Sequence, residues 1–391
     1  MSVWEESTTS GKLYWSNICS SSTGQYLAVT DLGNGIGFSA TGGYIYTSDD
    51  YGSTWTQQTG AGSKVWTSIS MSSNGLYLAA CASNAEYSSH IYTSNNRGVS
   101  WTLRNNLLLD SATKYSWRSI TISDDGTRIA ACADAEYKTV ITDGSFIFTS
   151  SNSGSSWISR NSRRSWSFIT SSPNGVYLAA CEINGYIYTS SNSGTSFIER
   201  TGAGIKSWTS IAISDDGKII ALTVYLGYIY TSSNSGQSFT SQTGSGSKYW
   251  GGVCSSSTGQ YLAACEGTTY GKIYTSNDYG VTWIQHTHSF LNDWGFITSS
   301  SDGKRIAVCA YLTGINTFSF ADPTNYRING VDISRYFSPY SAGSQALLTE
   351  YKITTNKTDL NTIFAPKTSN AVTTTNFING YNDLNNYYET L

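Results

Sequence analysis

Residues 66–81 read Trp66-Thr-Ser-Ile69-Ser-Met-Ser-Ser-Asn-Gly75-Leu-Tyr77-Leu-Ala-Ala-Cys81, and the same unit recurs along the chain. It is a tryptophan-led run, a serine-rich turn closed by glycine, and a second run of small apolar residues. Further copies begin at Trp117, Trp166, Trp208 and Trp250, with degenerate ones at Trp15 and Trp294. Subtracting the tryptophan numbers gives spacings of 51, 51, 49, 42, 42 and 44 residues. Between the copies lie short alternating stretches split by turn signals, without a helical period. Four strands per unit at this period predict propeller blades, and seven copies predict seven of them. The expected fold class is all-β: a seven-bladed β-propeller of four-stranded blades with a small C-terminal repeat extension.

Composition agrees with short strands. Charged residues make up 13% of the 391, about half of the roughly 25% usual in globular chains. The 29 Tyr, 12 Trp and 37 Gly against 4 Pro suit strands and tight turns and exclude a helical or disordered chain. Apolar runs are strand-sized, too short for a membrane-spanning helix. A net charge of −3 with scattered Lys and Arg argues against nucleic acid as a partner. The start, Met1-Ser-Val-Trp-Glu-Glu, lacks the basic and apolar regions of a signal peptide. Synthesis in the cytoplasm without membrane insertion is therefore expected.

A second element lies between successive tryptophan units. Its fullest version is Ser48-Asp-Asp50-Tyr-Gly52-Ser-Thr54-Trp55, and copies centre on Asn96 and Gly98, Asn152 and Gly154, Asn192 and Gly194, Asn234 and Gly236, and Asp278 and Gly280. An Asp or Asn side chain can accept bonds from backbone N–H groups ahead of it, and Gly can adopt positive φ. The closing Trp or Phe then covers the hairpin. These stretches resemble the Asp-box, or bacterial neuraminidase repeat, of sialidases, sortilin-type receptors and a photosystem assembly factor. The resemblance gives Asp50, Asn96, Asn152, Asn192, Asn234 and Asp278 a structural role, and it implies a fold rather than a function, because enzymes and receptors share the turn.

The seventh Asp-box is missing. Trp4 precedes Trp15 by the same interval as Trp55 precedes Trp66, so Val3-Trp4 is expected as the outer strand of a seventh blade whose other strands run from Trp294 to about Phe320. The propeller is thus assigned to residues 1–322 and a tail to 323–391. The tail lacks Trp and Cys and has its own repeat: Tyr326-Arg-Ile-Asn-Gly-Val-Asp332 to Pro339, Tyr351-Lys-Ile to Asp359-Leu-Asn-Thr-Ile-Phe364-Ala-Pro366, and Phe377 to Tyr388. About seventy residues in three short units bury little alone, so the tail is expected to order on the propeller, on a second copy or on a foreign surface. Its Asp-Leu-Asn-x-Ile-Phe-Ala-Pro pattern resembles short repeats in proteins of large DNA viruses of algae and protists. That resemblance implies association with a virus particle through capsid or other virion proteins; an ordinary packing appendage is the plainer reading.

Five of the seven cysteines (Cys81, Cys132, Cys181, Cys265 and Cys309) share one repeat position, and Cys19 and Cys254 share another. Equivalent sites on neighbouring blades lie too far apart for a disulfide, and His90, His286 and His288 are too few for a clustered metal site. Small buried hydrophobes are the expected role, with no metal and no cofactor.

Two features could carry binding. A cation stands just before most inner-strand tryptophans: Lys12, Lys64, Lys114, Arg164, Lys206 and Lys248. Strand order places them on one face, predicting a broken ring of positive charge at one channel mouth, able to hold a carboxylate, a sulfate or an acidic loop. They can equally be solvated residues copied with the repeat. On the same face, Glu86-Tyr87 and Glu136-Tyr137 set a carboxylate beside an aromatic ring, Glu182 and Glu266 follow their cysteines, and Tyr225 and Tyr270 lie on corresponding loops. Rings beside carboxylates suit a glycan, or the charges are surface ion pairs.

The resemblance to sialidases raises an enzyme. Those carry an Arg-Ile-Pro motif near the N-terminus and three converging arginines, which this chain does not match. A glycosidase acting by paired carboxylates would draw on Glu86, Glu136, Glu182 or Glu266, yet these follow the repeat whereas catalysis breaks it. The sequence therefore favours a non-catalytic binding or structural module, its loop face holding a protein or glycan and its tail docking to a larger assembly or self-associating. An assembly or chaperone factor contacting its client through the cationic mouth is the alternative, and a glycoside hydrolase is a further one.

Overall fold

Each inner strand opens on or two residues before its tryptophan and lies against the inner strand of the next blade: Leu13–Ser20, Trp66–Met71, Tyr115–Ile122, Trp166–Ser171, Trp208–Ile213, Trp250–Ser255 and Trp294–Ser299, the last against the first. These seven strands enclose the channel of a seven-bladed β-propeller. The structure is a computed structural model that describes residues 3–7, 11, 13–33, 42–83, 90–104, 115–135, 145–268, 270–286, 294–319, 327–328 and 331–332. Among the described residues the one helical element is a single turn, Thr243–Ser245. The chain divides into two units, Trp4–Ser319 and a second made of Met1–Val3 with Phe320–Leu391. In the second unit Arg327–Ile328 pairs antiparallel with Val331–Asp332.

Blades are numbered by their tryptophans, from Trp15 in blade 1 to Trp294 in blade 7. Blade 4 is representative, an antiparallel meander of Trp166–Ser171, Leu178–Glu182, Ile187–Ser190 and Ile198–Arg200. Its second strand is buried on both faces. Leu178 and Ala180 pack with Ala130, Cys132 and Ile147 of blade 3, whereas Ala179 and Cys181 pack with Trp208 and Leu222 of blade 5. Alternation thus sends successive side chains to opposite neighbours, and both neighbours are close sheets, so the strand is written in small apolar residues. The seven cysteines are free thiols, all buried except the half-buried Cys19. Burial pushes the thiols of Cys81, Cys181 and Cys254 up to about 12 despite hydrogen bonds that favour the thiolate.

The tryptophan does more than fill space. In every blade the register slips by one residue immediately after it, as between Trp166 and Phe168. Such a bulge re-aims the side chain at the strand's start. In three blades the indole N–H then donates to a carbonyl in the hairpin of the preceding blade: Trp208 to Gly185 at 2.9 Å, Trp250 to Gly227 at 3.0 Å, and Trp294 to Gly271 at 3.0 Å. The buried Trp66 indole meets no acceptor among the described residues. On its own blade the ring meets a third-strand aromatic edge-on, with centroids 5.0 Å apart for Trp166 and Tyr188. One side chain therefore ties two blades and packs a third strand.

The Asp-box turns close the other end of blades 1 to 6. In the first, Gly52 N–H donates to Ser48 Oγ at 2.9 Å, Thr54 N–H donates to Asp50 Oδ1 at 2.8 Å, and the Trp55 indole donates to Gly52 O at 3.0 Å. The two central residues both have positive φ, 63° at Tyr51 and 88° at Gly52, and Ser53 N–H donates to Asp50 O. That is the sign pattern of a type I′ turn, whose twist matches the strands it joins. The side-chain pairing is matched too. Asp50 and Asp278 take a hydroxyl from Thr54 and Thr282, whereas Asn96, Asn152, Asn192 and Asn234 donate to a serine.

Two devices close the ring. The last sheet runs Trp294–Ser299, Arg305–Thr313, Asn316–Ser319, Val3–Glu6, so both ends of the propeller share one blade. On the turn face, a belt of backbone bonds near 2.8 Å runs around the channel from Asp215 to Ser257, Ser301, Ser22 and Ser73, crossing the seam between blades 7 and 1. Asp124 Oδ1 continues it by accepting from Ser73 N–H at 2.7 Å, and Asp124 N–H donates to Pro173 O. Pro173 has no N–H to pass on, so the belt opens between blades 4 and 5.

Replacing Trp250 with alanine removes the ring and its bond to Gly227, and should cost about 3–5 kcal/mol of stability. Urea denaturation checks this: the midpoint should fall steeply, and an unchanged midpoint would mean that the blades are held by other contacts.

Candidate functional site

Antiparallel alternation puts the second-to-third-strand hairpins and the blade-to-blade connections on one face, here the loop face. The serine turns and Asp-boxes lie on the other. Of the six cations expected on the loop face, Lys12 and Lys114 lie outside the described residues, as do Glu86, Tyr87, Glu136 and Tyr137. The remaining four all do the same thing. Lys64, Arg164, Lys206 and Lys248 fold over the third-strand tyrosine of their own blade: Tyr92, Tyr188, Tyr230 and Tyr274, at 5.3, 4.7, 5.0 and 5.1 Å from the ring centroid. A cation over a tyrosine face is held by the ring quadrupole. Since the same tyrosine meets the inner-strand tryptophan edge-on, cation, tyrosine and tryptophan form one column in each of these blades.

In two blades a carboxylate completes the column. Lys248 meets Glu266 at 2.8 Å, and Arg164 meets Glu182 at 3.5 Å and Glu199 at 3.2 Å. The Tyr188 hydroxyl donates to Glu199 at 2.7 Å, and burial followed by that bond pushes its pKa up. Burial alone would lower the Lys248 ammonium, but its bonds to Glu266 and Tyr274 outweigh this and raise it. Among the sequence candidates, then, Glu182 and Glu266 are ion-paired partners of the cations. A further carboxylate, Asp31, not singled out from sequence, stands opposite Trp15. Burial pushes Asp31 up, against the N–H groups of Gly33 and Tyr14 that bond its Oδ1 at 3.0 and 3.2 Å. Among the described residues no group of three or more His, Cys, Asp or Glu side chains could hold a metal.

Among the described residues, the uncommitted surface of the loop face lies over blades 5 and 6. Tyr225 is 50% exposed, Leu226 65%, Tyr249 37%, Tyr270 72% and Ile205 61%. Tyr225 and Tyr249 sit edge-to-face at 4.8 Å, bridging the hairpin of blade 5 and the entry to blade 6. Their backbones are fixed, since Tyr225 N–H donates to Ser207 O and Tyr249 O accepts from Gly267 N–H, both at 2.9 Å. Leu226 is the odd residue. It adopts φ 51°, the conformation that Asn184 takes at the same hairpin position of blade 4 with φ 50°. Asn184 accepts a bond there from the Ser207 hydroxyl. In blade 5 that polar pair gives way to leucine and, at the position of Ser207, Tyr249. The left-handed conformation costs an ordinary residue about 1–2 kcal/mol, and Leu226 is too exposed to recover this by burial. Tyr225 and Tyr270 were visible as loop aromatics in the sequence. Tyr249, Leu226 and Ile205 were not, and aligning Leu226 with Asn184 is the signal that finds it.

The fold and its turns define the class: a seven-bladed β-propeller built from Asp-box blades. The sequence model of the BNR-Asp box repeat family matches residues 45–58, which hold the first of these turns. Among solved structures, YCF48 bound to D1 peptide is similar at a TM-score of 0.60 and 16% identity, covering 82% of this chain and 97% of that one. The β-propeller domain of Cps50 (Swd1) from Myceliophteria thermophila is similar at a TM-score of 0.61 and 14% identity, covering 82% and 100%. The GH74 xyloglucanase from Xanthomonas campestris is similar at a TM-score of 0.58 and 15% identity, covering 81% of this chain and 53% of the enzyme. Such identities show a common fold alone. Among curated proteins no sequence matches this chain.

On the turn face, Asp125 accepts from the Ser123 hydroxyl at 2.6 Å and from Thr127 N–H and Oγ1 at 3.0 and 2.7 Å. These bonds hold its carboxyl at about 2, below the roughly 3.9 of an unfolded chain. A folded pKa below the unfolded one gives stability that is present above pH ~4 and lost as pH falls toward the folded value. Asp125→Asn should therefore reduce the loss of Tm between pH 4 and pH 2; an unchanged slope in thermal melts would contradict this assignment.

Proposed function

We propose that the chain is a non-catalytic binding module that holds a protein segment on the loop face over blades 5 and 6, anchored by Tyr225, Leu226 and Tyr249. The observation that carries this reading is Leu226, an exposed leucine kept in a costly backbone conformation at a position where blade 4 uses asparagine. Strain that packing does not repay is a mark of function. Adjacent tyrosines with fixed backbones supply large contact area at little entropic cost, as binding anchors do. The solved structure of YCF48 with D1 peptide supports a peptide as ligand of this fold.

The GH74 likeness supports a glycosidase as the other reading. The two described candidates for it, Glu182 and Glu266, are each bonded to a cation. Their oxygens are thereby committed to contacts within the blade, so binding is the better account. The tail, 323–391, is assigned the second role of joining the ring to a larger assembly such as a virus particle.

The repeats provide substitutions that preserve the fold, because Ser83 and Ser207 stand at the positions of Tyr225 and Tyr249. A displayed peptide library selected on the full chain should yield extended apolar sequences whose affinity falls about tenfold or more, or 1.4 kcal/mol, in the Tyr225→Ser, Tyr249→Ser double variant. Equal affinity in wild type and double variant would overturn the site, and tyrosine-dependent binding on a glycan array would replace the protein ligand with a sugar.

A chain ending at residue 322 should keep the Tm of the ring and lose sedimentation with its assembly. Loss of the folded ring instead would make the tail part of the propeller.

A further inference from the structure

A second site lies on the other side of the ring, in the groove between blades 3 and 4, and it is built from arginine. The groove encloses a cavity of about 210 Å³ whose lining includes Arg128, Arg160, Ser151, Ser156, Ser193 and Thr195. A water molecule takes roughly 30 Å³ of liquid volume, so the space exceeds the needs of a small ion.

Both guanidinium groups are aimed by one bond each and then left with donors to spare. Arg160 donates from Nε to Thr149 Oγ1 at 2.9 Å, and Arg128 donates from Nη1 to Asn174 O at 2.8 Å, across to blade 4. Among the described residues no acceptor meets either terminal nitrogen of Arg160 or Nη2 of Arg128. Asp125 is the carboxylate whose charge Arg128 influences, and its oxygens are already engaged by Ser123 and Thr127.

Repeat comparison shows how unusual the pair is. The position of Arg128 holds Tyr26, Tyr77, Tyr177, Ile219, Tyr261 and Arg305 in the other blades, and the position of Arg160 holds Gln58, Arg104, Arg200, Gln242, His286 and Ser7. Blade 3 alone has arginine at both. The Asp-box turns flanking the groove carry Asn152 and Asn192, so neither adds the negative charge that Asp50 and Asp278 bring to blades 1 and 6. Ser156 Oγ accepts from Asn152 Nδ2 at 2.9 Å, which leaves its proton to donate outward.

We propose that this groove binds a tetrahedral oxyanion, phosphate or sulfate, between Arg128 and Arg160. A guanidinium presents a planar fork of N–H groups that matches two oxygens of such an ion, and bonds to an ionised acceptor are about twice as strong as neutral ones. Two guanidinium forks together with serine and threonine hydroxyls line the groove, and the fixed positive charge with its spare N–H donors favours a polyoxygen anion over a cation. The ion can arrive free or as a monoester on a larger molecule, and the groove chemistry is the same for both.

The test is calorimetric titration of the full chain with inorganic phosphate, inorganic sulfate and O-phosphoserine, at ionic strength held constant with chloride. Saturable binding of at least one ion is expected, weakened tenfold or more by Arg160→Gln and by Arg128→Tyr. Both replacements are residues that the repeat itself uses, and Gln58 and Gln242 keep the bond to the third-strand threonine at 2.7 and 2.6 Å, so the blade should stay folded. Arg104→Gln, in the neighbouring groove, should leave the affinity unchanged. Tighter binding of phosphoserine than of inorganic phosphate assigns the site to an esterified group, and the reverse to the free ion. No saturable binding by any of the three, equal binding in the two groove variants, or an equal loss in Arg104→Gln would each overturn the proposal.

Discussion

The propeller depends on the tryptophan at the head of each inner strand, whose indole N–H in blades 5, 6 and 7 leaves its own blade. At the head of an inner strand, a one-residue bulge turns the tryptophan so that its N–H bonds a carbonyl in the hairpin of the preceding blade, as Trp208, Trp250 and Trp294 do at 2.9, 3.0 and 3.0 Å. A buried donor left unmet would cost about 1–3 kcal/mol, so each bond fixes the hairpin it reaches as well as the strand it starts from. Position of the hairpin then sets the loop face. The tyrosine column and its cation follow, since Tyr188, Tyr230 and Tyr274 lie between the tryptophan edge and the Lys or Arg charge.

Much of this was legible in the sequence. Tryptophan spacing counts the blades, and the Ser–Asp/Asn–Gly–Trp/Phe pattern locates the turns, because a 2-residue turn with two positive φ values tolerates few residues and so leaves a strict trace. The cations were legible as a repeating position but not as to destination. Lys206 and Tyr230 are far apart in sequence and meet only because the first and third strands of a blade lie two apart in the sheet. A sequence pattern records alternation along a strand, not which rings align across strands. The bulge after each tryptophan was likewise invisible, since it changes register without changing residue type.

Departures from the repeat carry the functional information, and they are of two kinds. Leu226 and Tyr249 replace a polar pair on the loop face with exposed apolar side chains, and Arg128 with Arg160 replaces the usual tyrosine and mixed polar residue on the turn face. Symmetric features, including the four described cations, are committed to contacts within their own blades. A ring of identical units has no preferred direction, so recognition of one partner requires blades that differ. Blades 3, 5 and 6 are where this chain differs most in described side-chain chemistry.

Urea denaturation of the Leu226→Asn variant tests most directly whether those departures serve binding rather than folding. Asparagine tolerates the left-handed conformation that leucine strains to adopt, so the account predicts a variant at least as stable as wild type, with the midpoint unchanged or raised. A midpoint lowered by the equivalent of 1 kcal/mol or more would show that Leu226 packs the blade, and would contradict the claim that the fold tolerates it for the sake of a partner.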